Sequence, residues 1–554
     1  KFHFLPELHA HLNLGMDISK GNQNTNISTL SGTNNYYGNL NIQDQSKSNK
    51  SLSYFMQYAK EMGEHRFDIM AGYEWQHFYR EETSSNRGLE RVDANGLVTL
   101  DPTAGYYNPT TTAFKTESYL VSFFGRLNYS YANKYLFTAT LRDDATSRFS
   151  SKNRWGLFPA MAVAWKITEE GFMKDQSLFS EMKLRLGYGI TGQQNLGTTI
   201  GDYPYIPVYA QSQSGSSYWL NGKYVTTYRP NAFNDKLKWE QTTTYNAGLD
   251  LGIDKGRYTA SLDYYHRITN DLLAVVDIPV GTNFSNRVVS NVGSLTNDGV
   301  EVSLNAKAIS KKDFTWDIGY NVSYNRNNIS KLTGNSSSFM VTDRNISSGT
   351  GNSVVYNAVG YPSNSFYVYE QVYDQNSKPI EGLYVDRNGD GKINDDDRYY
   401  YHNPAADIFM GLSSKIIYKN WDFGFSMRAS LGNYVYNDIA SGYSNVGVSG
   451  VWSSSGFYAN KLSSEFKTNF VGKTNNYFSD YYIQNASFIR CDNITIGYSF
   501  KAQHSKFNGR VYATVQNPFV ITKYSGLDPE VSNGMDNKIY PRPILTIVGM
   551  SLNF

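Results

Sequence analysis

The densest gathering of groups that could do chemistry is the stretch Asp386 to Asp397, DRNGDGKINDDD. Set against a twelve-residue calcium loop, positions one, three, five, seven, nine and twelve fall on Asp386, Asn388, Asp390, Lys392, Asn394 and Asp397, with Gly391 at the sharp turn. Hard cations need such crowding of oxygens, and position seven asks only for a backbone carbonyl, so Lys392 fits. The loop is therefore expected to hold a structural Ca2+, with Mg2+ as the alternative, stiffening a long outer loop. Two features depart from an EF-hand: Asp397 stands where a bidentate Glu is usual, and no helix pair flanks the run. An acidic loop rich in Asx turns, with no ion, has the same composition.

Two further clusters are aromatic. One holds Tyr203, Tyr205, Tyr209, Tyr218, Trp219 and Tyr224; the other holds Tyr356, Tyr361, Phe366, Tyr367 and Tyr369. Aromatic faces stack on sugar rings while Asn, Gln and Asp bind hydroxyls, so Tyr203, Tyr205, Tyr218, Trp219, Tyr356 and Tyr361 are the candidate ligand-binding residues. The competing reading is that such rings pack loops together or sit in an interfacial girdle. His9 and His11 share a strand face but lack a third ligand, and lumen-facing polar histidines explain them. Glu169 with Glu170, or Asp395 to Asp397, resemble glycosidase pairs only in composition. No G-x-S-x-G, Walker A or H-E-x-x-H motif occurs, so no catalytic residue is assigned and an enzyme is not expected.

The elements that must carry these loops are strands. Tyr occurs 46 times, Gly 46 and Phe 30, against 18% charged residues, a balance that suits strands and tight turns. Lys and Arg total 51 and Asp and Glu 49, so no nucleic-acid footprint is present. Cys491 is the single cysteine, which excludes an internal disulfide and leaves it as a small strand residue. No run approaches 18 apolar residues, which excludes a transmembrane helix. The mean hydropathy of -0.49 would suit a soluble protein, but a barrel strand turns one face to lipid and one to water, and the average cancels.

Period-two alternation runs from end to end. Leu8, Ala10, Leu12, Leu14, Met16 and Ile18 alternate with polar neighbours, as do Phe314, Trp316, Ile318, Tyr320, Val322 and Tyr324. About 16 such segments are expected, near 5-19, 51-60, 66-80, 116-131, 135-146, 155-166, 181-192, 236-252, 256-268, 297-309, 313-326, 405-418, 421-433, 485-500, 508-521 and 539-554. Connections after the first, third, seventh, ninth, eleventh, thirteenth and fifteenth segments are long, the one over 327-404 carrying the calcium-like motif, and those after even segments are mostly brief. An antiparallel transmembrane β-barrel with long extracellular loops and short periplasmic turns has this parity. Barrels of 22 strands carry a plugged lumen, so about six strands and a plug are expected upstream of Lys1, which opens without a signal peptide.

Several runs carry a family resemblance: Tyr129 to Phe149 (YSYANKYLFTATLRDDATSRF), Trp155 to Ala160 (WGLFPA), Asn291 to Glu301 (NVGSLTNDGVE) and the Asp386 loop. Beyond these come Ala486 to Tyr498 (ASFIRCDNITIGY), Gln516 to Val520 (QNPFV), Tyr524 to Glu530 (YSGLDPE) and Tyr540 to Pro543 (YPRP). Together they resemble, over nearly the whole of residues 1-554, the C-terminal barrel portion of SusC-like TonB-dependent transporters of the Bacteroidetes outer membrane. The resemblance implies active import of an oligosaccharide, or alternatively of oligopeptides, by a barrel capped with a SusD-like surface lipoprotein and driven by TonB through a plug. A passive 16-strand porin and a soluble glycan-binding protein are the rivals from other classes.

Overall fold

In the computed structural model, strands account for 68% of residues and helices for 4%. The structure describes all residues except 1, 4, 34-35, 93-97, 100-106, 196-201, 212-216, 226, 278-280, 282-286, 333-338, 343, 348-350, 443-466, 469, 471-475, 502-507, 538-539 and 554. No described helix is long and apolar enough to cross a membrane.

Sixteen long strands make the main antiparallel sheet. In chain order they are β1 (Leu8–Thr33), β2 (Tyr36–Met62), β3 (His65–Val92), β4 (Tyr107–Tyr131), β5 (Tyr135–Thr146), β6 (Trp155–Lys166), β7 (Phe179–Gln193) and β8 (Glu240–Ile253). There follow β9 (Tyr258–Asn270), β10 (Ser294–Lys311), β11 (Phe314–Lys331), β12 (Ile408–Tyr418), β13 (Trp421–Leu431), β14 (Phe488–Lys501), β15 (Asn508–Thr522) and β16 (Leu545–Asn553). Each expected segment coincides with one of these strands. Two-residue pieces, Phe2–His3 and Val98–Thr99, bring the sheet to 18 strands.

The chain divides into two compact units. The first comprises Lys1–Val163, Tyr188–Thr242 and Asp271–Val292; the second comprises Ala164–Gly187, Thr243–Asn270 and Gly293–Phe554. In the first, β1 to β5 pair in sequence order. Leu14 lies opposite Leu52, Leu12 opposite Tyr54 and Tyr73 opposite Phe123, so the register stacks apolar residues on one face. That face is bare: Leu14 is 72% exposed and Met16 64%. In the second unit, Leu262 faces Val302, Val302 faces Val322, Leu412 faces Met427 and Phe423 faces Ile496, again on an exposed face. An apolar band continued across strand after strand and left uncovered is stable against hydrocarbon tails, not water.

The connection after β1 corrects an expectation. Residues 20-50 were expected to form a long loop, yet β1 and β2 stay paired out to Ile27 opposite Asn39. Both faces of this stretch are polar, so the hydrophobic alternation vanishes while the ladder and pairs such as Asn22 Nδ2 to Asp44 at 2.7 Å persist. Short turns do close other hairpins: Ala132 and Asn133 take left-handed φ of 50° and 55° between β4 and β5, and Lys419 does the same between β12 and β13. Residues 167-178, between β6 and β7, form a longer link with two 3-10 turns.

A bulge in β14 explains two of the sequence runs. Asn493 pairs with Ser426 and Cys491 with Met427, so Asp492 has no ladder partner; on the other side Asn517 and Pro518 are skipped. Asn517 is left-handed, and Pro518 has no N–H to give, which suits a bulge. The extra residue flips the alternation: Ile489 is exposed above it, and Ile496 and Tyr498 below it. Phe488 and Arg490 are thereby turned inward.

Candidate functional site

In the second unit, the connections between strands fold into a packed body of their own. Residues Phe339–Val341, Val355–Ala358, Ser365–Val368 and Tyr399–Tyr400 pair as a small sheet. Its core holds Val354, Val355, Phe366, Val368, Tyr436 and Tyr482, each at most 1% exposed. Tyr356, Tyr361, Tyr367 and Tyr400 stack beside it: Tyr356 lies 5.1 Å from Tyr367, Tyr367 4.9 Å from Tyr400, and Tyr361 4.1 Å from Tyr400. The sequence-predicted Tyr356 and Tyr361 are thus brought into one ring ladder, in which Tyr361 keeps 41% exposure. Burial pushes the phenols of Tyr384 and Tyr400 up to about 12 and holds the His402 imidazole, stacked 3.6 Å from Tyr434, below its usual value.

Asp438 and Asp536 are buried in this body and Asp480 is half-buried. Asp480 accepts from Tyr399 Oη at 2.8 Å and from the Gln371 amide at 3.1 Å. Asp438 accepts from the Ser347 amide at 3.0 Å, and Asp536 from Tyr524 Oη at 2.5 Å. Burial raises the pKa of all three, with hydrogen bonds opposing.

The Asp386 loop closes on its own backbone. Asp386 accepts from the amides of Gly389 at 2.7 Å and Gly391 at 2.8 Å; Asn388 accepts from Asp390 at 2.9 Å and Asp390 from Lys392 at 2.8 Å. Asp397 is fully buried and accepts from the amides of Asn394 and Arg387, both at 2.9 Å, and of Asn388. The Asn394 amide first, and the other two after it, hold this carboxyl below the usual range. Gly389 and Gly391 supply the left-handed φ of 73° and 79° that the turn requires. Among the described residues, no three His, Cys, Asp or Glu side chains converge as a metal-ligand group. Arg398 anchors the loop, lying 4.0 Å over Phe478 and pairing with Asp395 at 2.8 Å.

The first unit treats its aromatics differently. Tyr203 and Tyr205 meet edge to face at 6.3 Å, and the Tyr203 hydroxyl donates to the Glu117 carbonyl. Tyr218–Leu220 pairs with Lys223–Val225 as a hairpin turned by Asn221 and Gly222, both left-handed. Trp219 and Tyr224 face each other at 4.8 Å, yet Tyr218 is 66%, Trp219 62% and Tyr224 75% exposed. His11 stacks on Phe55 at 4.6 Å; in the second unit, Glu170 accepts from Trp165 Nε1 at 3.0 Å.

Sequence reasoning missed the charge networks on the inner face. In the first unit Arg142 contacts Glu74, Ser122 and Asp144 within 2.8 Å. In the second, Arg185 holds Asp250 and Asp263, and Arg510 holds Asp422. The densest network joins a loop to the wall: Arg428 grips Glu530 at 2.6 Å and the bulged Asp492 at 2.8 Å, Arg490 pairs with Asp528 at 2.6 Å, and Arg542 bridges Asp528 and Glu530. The signal available was an arginine placed with the polar set of a strand, together with the acidic run DPE at 528-530. Only the pairing between them was unreadable.

Residues 7–357 match the family model described as TonB dependent receptor-like, beta-barrel. The chain is 50% identical over its full length to the TonB-dependent receptor SusC of Bacteroides thetaiotaomicron, of which it covers 55%. It is 30% identical over 90% of its length to the TonB-dependent receptor P3 of Formosa agariphila, of which it covers 50%. It thus spans about half the length of these relatives. A solved structure described as the RagAB peptide transporter superposes over the whole chain with a TM-score of 0.81, at 22% identity and covering 60% of that chain; this shows a shared fold. The uncovered apolar band, the strand parity and these matches agree, and the chain belongs to the TonB-dependent receptor-like β-barrel family of the outer membrane.

Proposed function

We propose that the protein imports a nutrient, an oligosaccharide, actively across the bacterial outer membrane as the barrel of a SusC/SusD-type complex. The observation that carries this reading is 50% identity, across all of the chain, to a TonB-dependent receptor named SusC. Its partners would be a SusD-like surface lipoprotein, outer-membrane lipid, and TonB acting through a plug encoded outside these 554 residues. Oligopeptide cargo is the second reading, favoured by the fold shared with the RagAB peptide transporter; at 22% identity that likeness bears on fold and leaves glycan first. No catalytic step is assigned to any residue. The test is uptake of labelled oligosaccharides and peptides by cells with and without the intact protein. Uptake should require TonB and bring down a lipoprotein in equal amount; TonB-independent diffusion would instead support a porin.

We further propose that Asp386, Asn388, Asp390, the Lys392 carbonyl, Asn394 and Asp397 bind a structural Ca2+, or Mg2+. Supporting this are the order of oxygen donors and the tight turn at Gly391. Chelation should speed protease cutting near 386-397, calcium should reverse it, and D386N with D390N should abolish both responses. Equal cutting in all samples would retire the ion.

A further inference from the structure

On one face of the first unit, the stretch of β3 from Phe78 to Glu82 and the residues opposite it on β2 and β4 set two phenylalanines among polar side chains. Lys47 lies opposite Arg80, Arg80 opposite Thr116, Asn49 opposite Phe78, and Phe78 opposite Ser118, so all share one face with Phe114, which lies opposite Glu82. The other residues of this stretch are polar, and Phe78 is 38% and Phe114 42% exposed, neither ring packed away. These residues, with Arg148 and Asp202, line a cavity of about 270 Å3.

Its polar groups fall into two kinds. Arg80 is held by Glu82 at 2.6 Å and lies 5.9 Å from the Phe114 ring, while Gln43 and Gln45 fix Glu82 in turn. Arg148 pairs with Asp202 at 2.8 Å, and the Thr116 hydroxyl donates to the same carboxylate. These groups are pre-positioned, so a ligand does not have to order them. Lys47 and Asn49 have no side-chain partner among the described residues. Phe78 and Glu82, the β3 residue opposite Phe114, are four residues apart, about 14 Å at the usual strand rise.

We propose that this cavity is a sugar subsite, taking one or two units of a neutral oligosaccharide. Apolar ring faces would lie on Phe78 and Phe114, and hydroxyls would meet Asn49, Lys47 and the fixed Arg80. An anionic ligand is disfavoured because Arg80 and Arg148 already have carboxylates, leaving one uncompensated cation. Capture of an extended peptide as an added strand is excluded, because β3 here is hydrogen-bonded on both sides. The inference rests on the glycan reading of the protein.

The experiment measures initial uptake of short labelled glucose, mannose and xylose oligomers by cells carrying the intact transporter. The variants are F78A/F114A, F78W/F114W and N49A, each normalised to its outer-membrane amount. The double alanine variant should raise the half-saturating concentration about tenfold with the maximal rate within about twofold, the Trp pair should restore it, and N49A should raise it about threefold. N49A, a small change on a strand surface, decides the matter if the double alanine variant fails to reach the membrane. Half-saturation unchanged in the variants, with wild type importing an oligomer, overturns the subsite alone. Wild type importing none of these oligomers, or only peptides, overturns the glycan reading and the subsite together.

Discussion

The two aromatic loop regions are built from the same residues to opposite ends. In the second unit, tyrosines between 356 and 401 stack on one another and on a core that excludes water, and the half-buried Asp480 carboxylate beside them is paired with Tyr399. In the first, the hairpin around Asn221 holds Tyr218, Trp219 and Tyr224 out in solvent, with Trp219 and Tyr224 touching each other. A ring that has spent its faces on other rings holds a loop in shape; a ring that has not is available to something that arrives. Aromatic content therefore says nothing about role until neighbours are known.

That contrast can be broken most forcefully at the loop anchor. Arg490 and Asp528 are a buried pair with side chains 4% and 5% exposed, and R490A should cost toward the lower end of about 3-5 kcal/mol, because the carboxylate is then left with Arg542 alone. Loss of protease resistance in residues 523-537 would register it, and R490M/D528L should recover most of it. Next comes F366A in the packed body, expected to cost about 3-5 kcal/mol or somewhat less where neighbours collapse. W219A in the exposed hairpin should change stability by less than about 0.5 kcal/mol. Equal effects at the two positions, compared by thermal unfolding of detergent-solubilised protein, would erase the distinction.

A lipid-face change probes the wall that carries both regions. L304K should cost about 2-4 kcal/mol if the residue sits near the bilayer midplane, reading out as reduced insertion. The smallest expected effect is on pH. Asp438, Asp480 and Asp536 bind their protons more tightly folded than unfolded, so folding takes up protons between 3.8 and their raised values. The packed body should therefore resist proteolysis better as pH falls from 7 through that window, and lose the gain as pH rises. Asp397, shifted the other way, contributes fully above 3.8 and loses its contribution only as pH falls through its depressed folded value. Faster cutting within 351-401 on mild acidification would contradict the sign.

Strand positions were legible because one face must be apolar and the period is fixed at two; Leu12, Leu14 and Met16 declare it without help from the rest of the chain. The same rule went silent over residues 20-50, where both faces are polar and the backbone ladder, with polar pairs such as Asn22–Asp44, holds β1 to β2. The Asp386 loop was legible as a turn, since its glycines and Asx residues act within a few positions of one another.

Local rules reach no further than a few residues, and that sets the division. Alternation, turn chemistry and the calcium-like spacing belong to the sequence, because each depends on neighbours along the chain. Which arginine meets which carboxylate, whether a tyrosine is stacked or bare, and that Phe78, Arg80 and Phe114 share a cavity with Asp202 were decided by the tertiary structure. Cross-strand register brings together residues tens to hundreds of positions apart, and a shift of one residue would turn each of them to the opposite face.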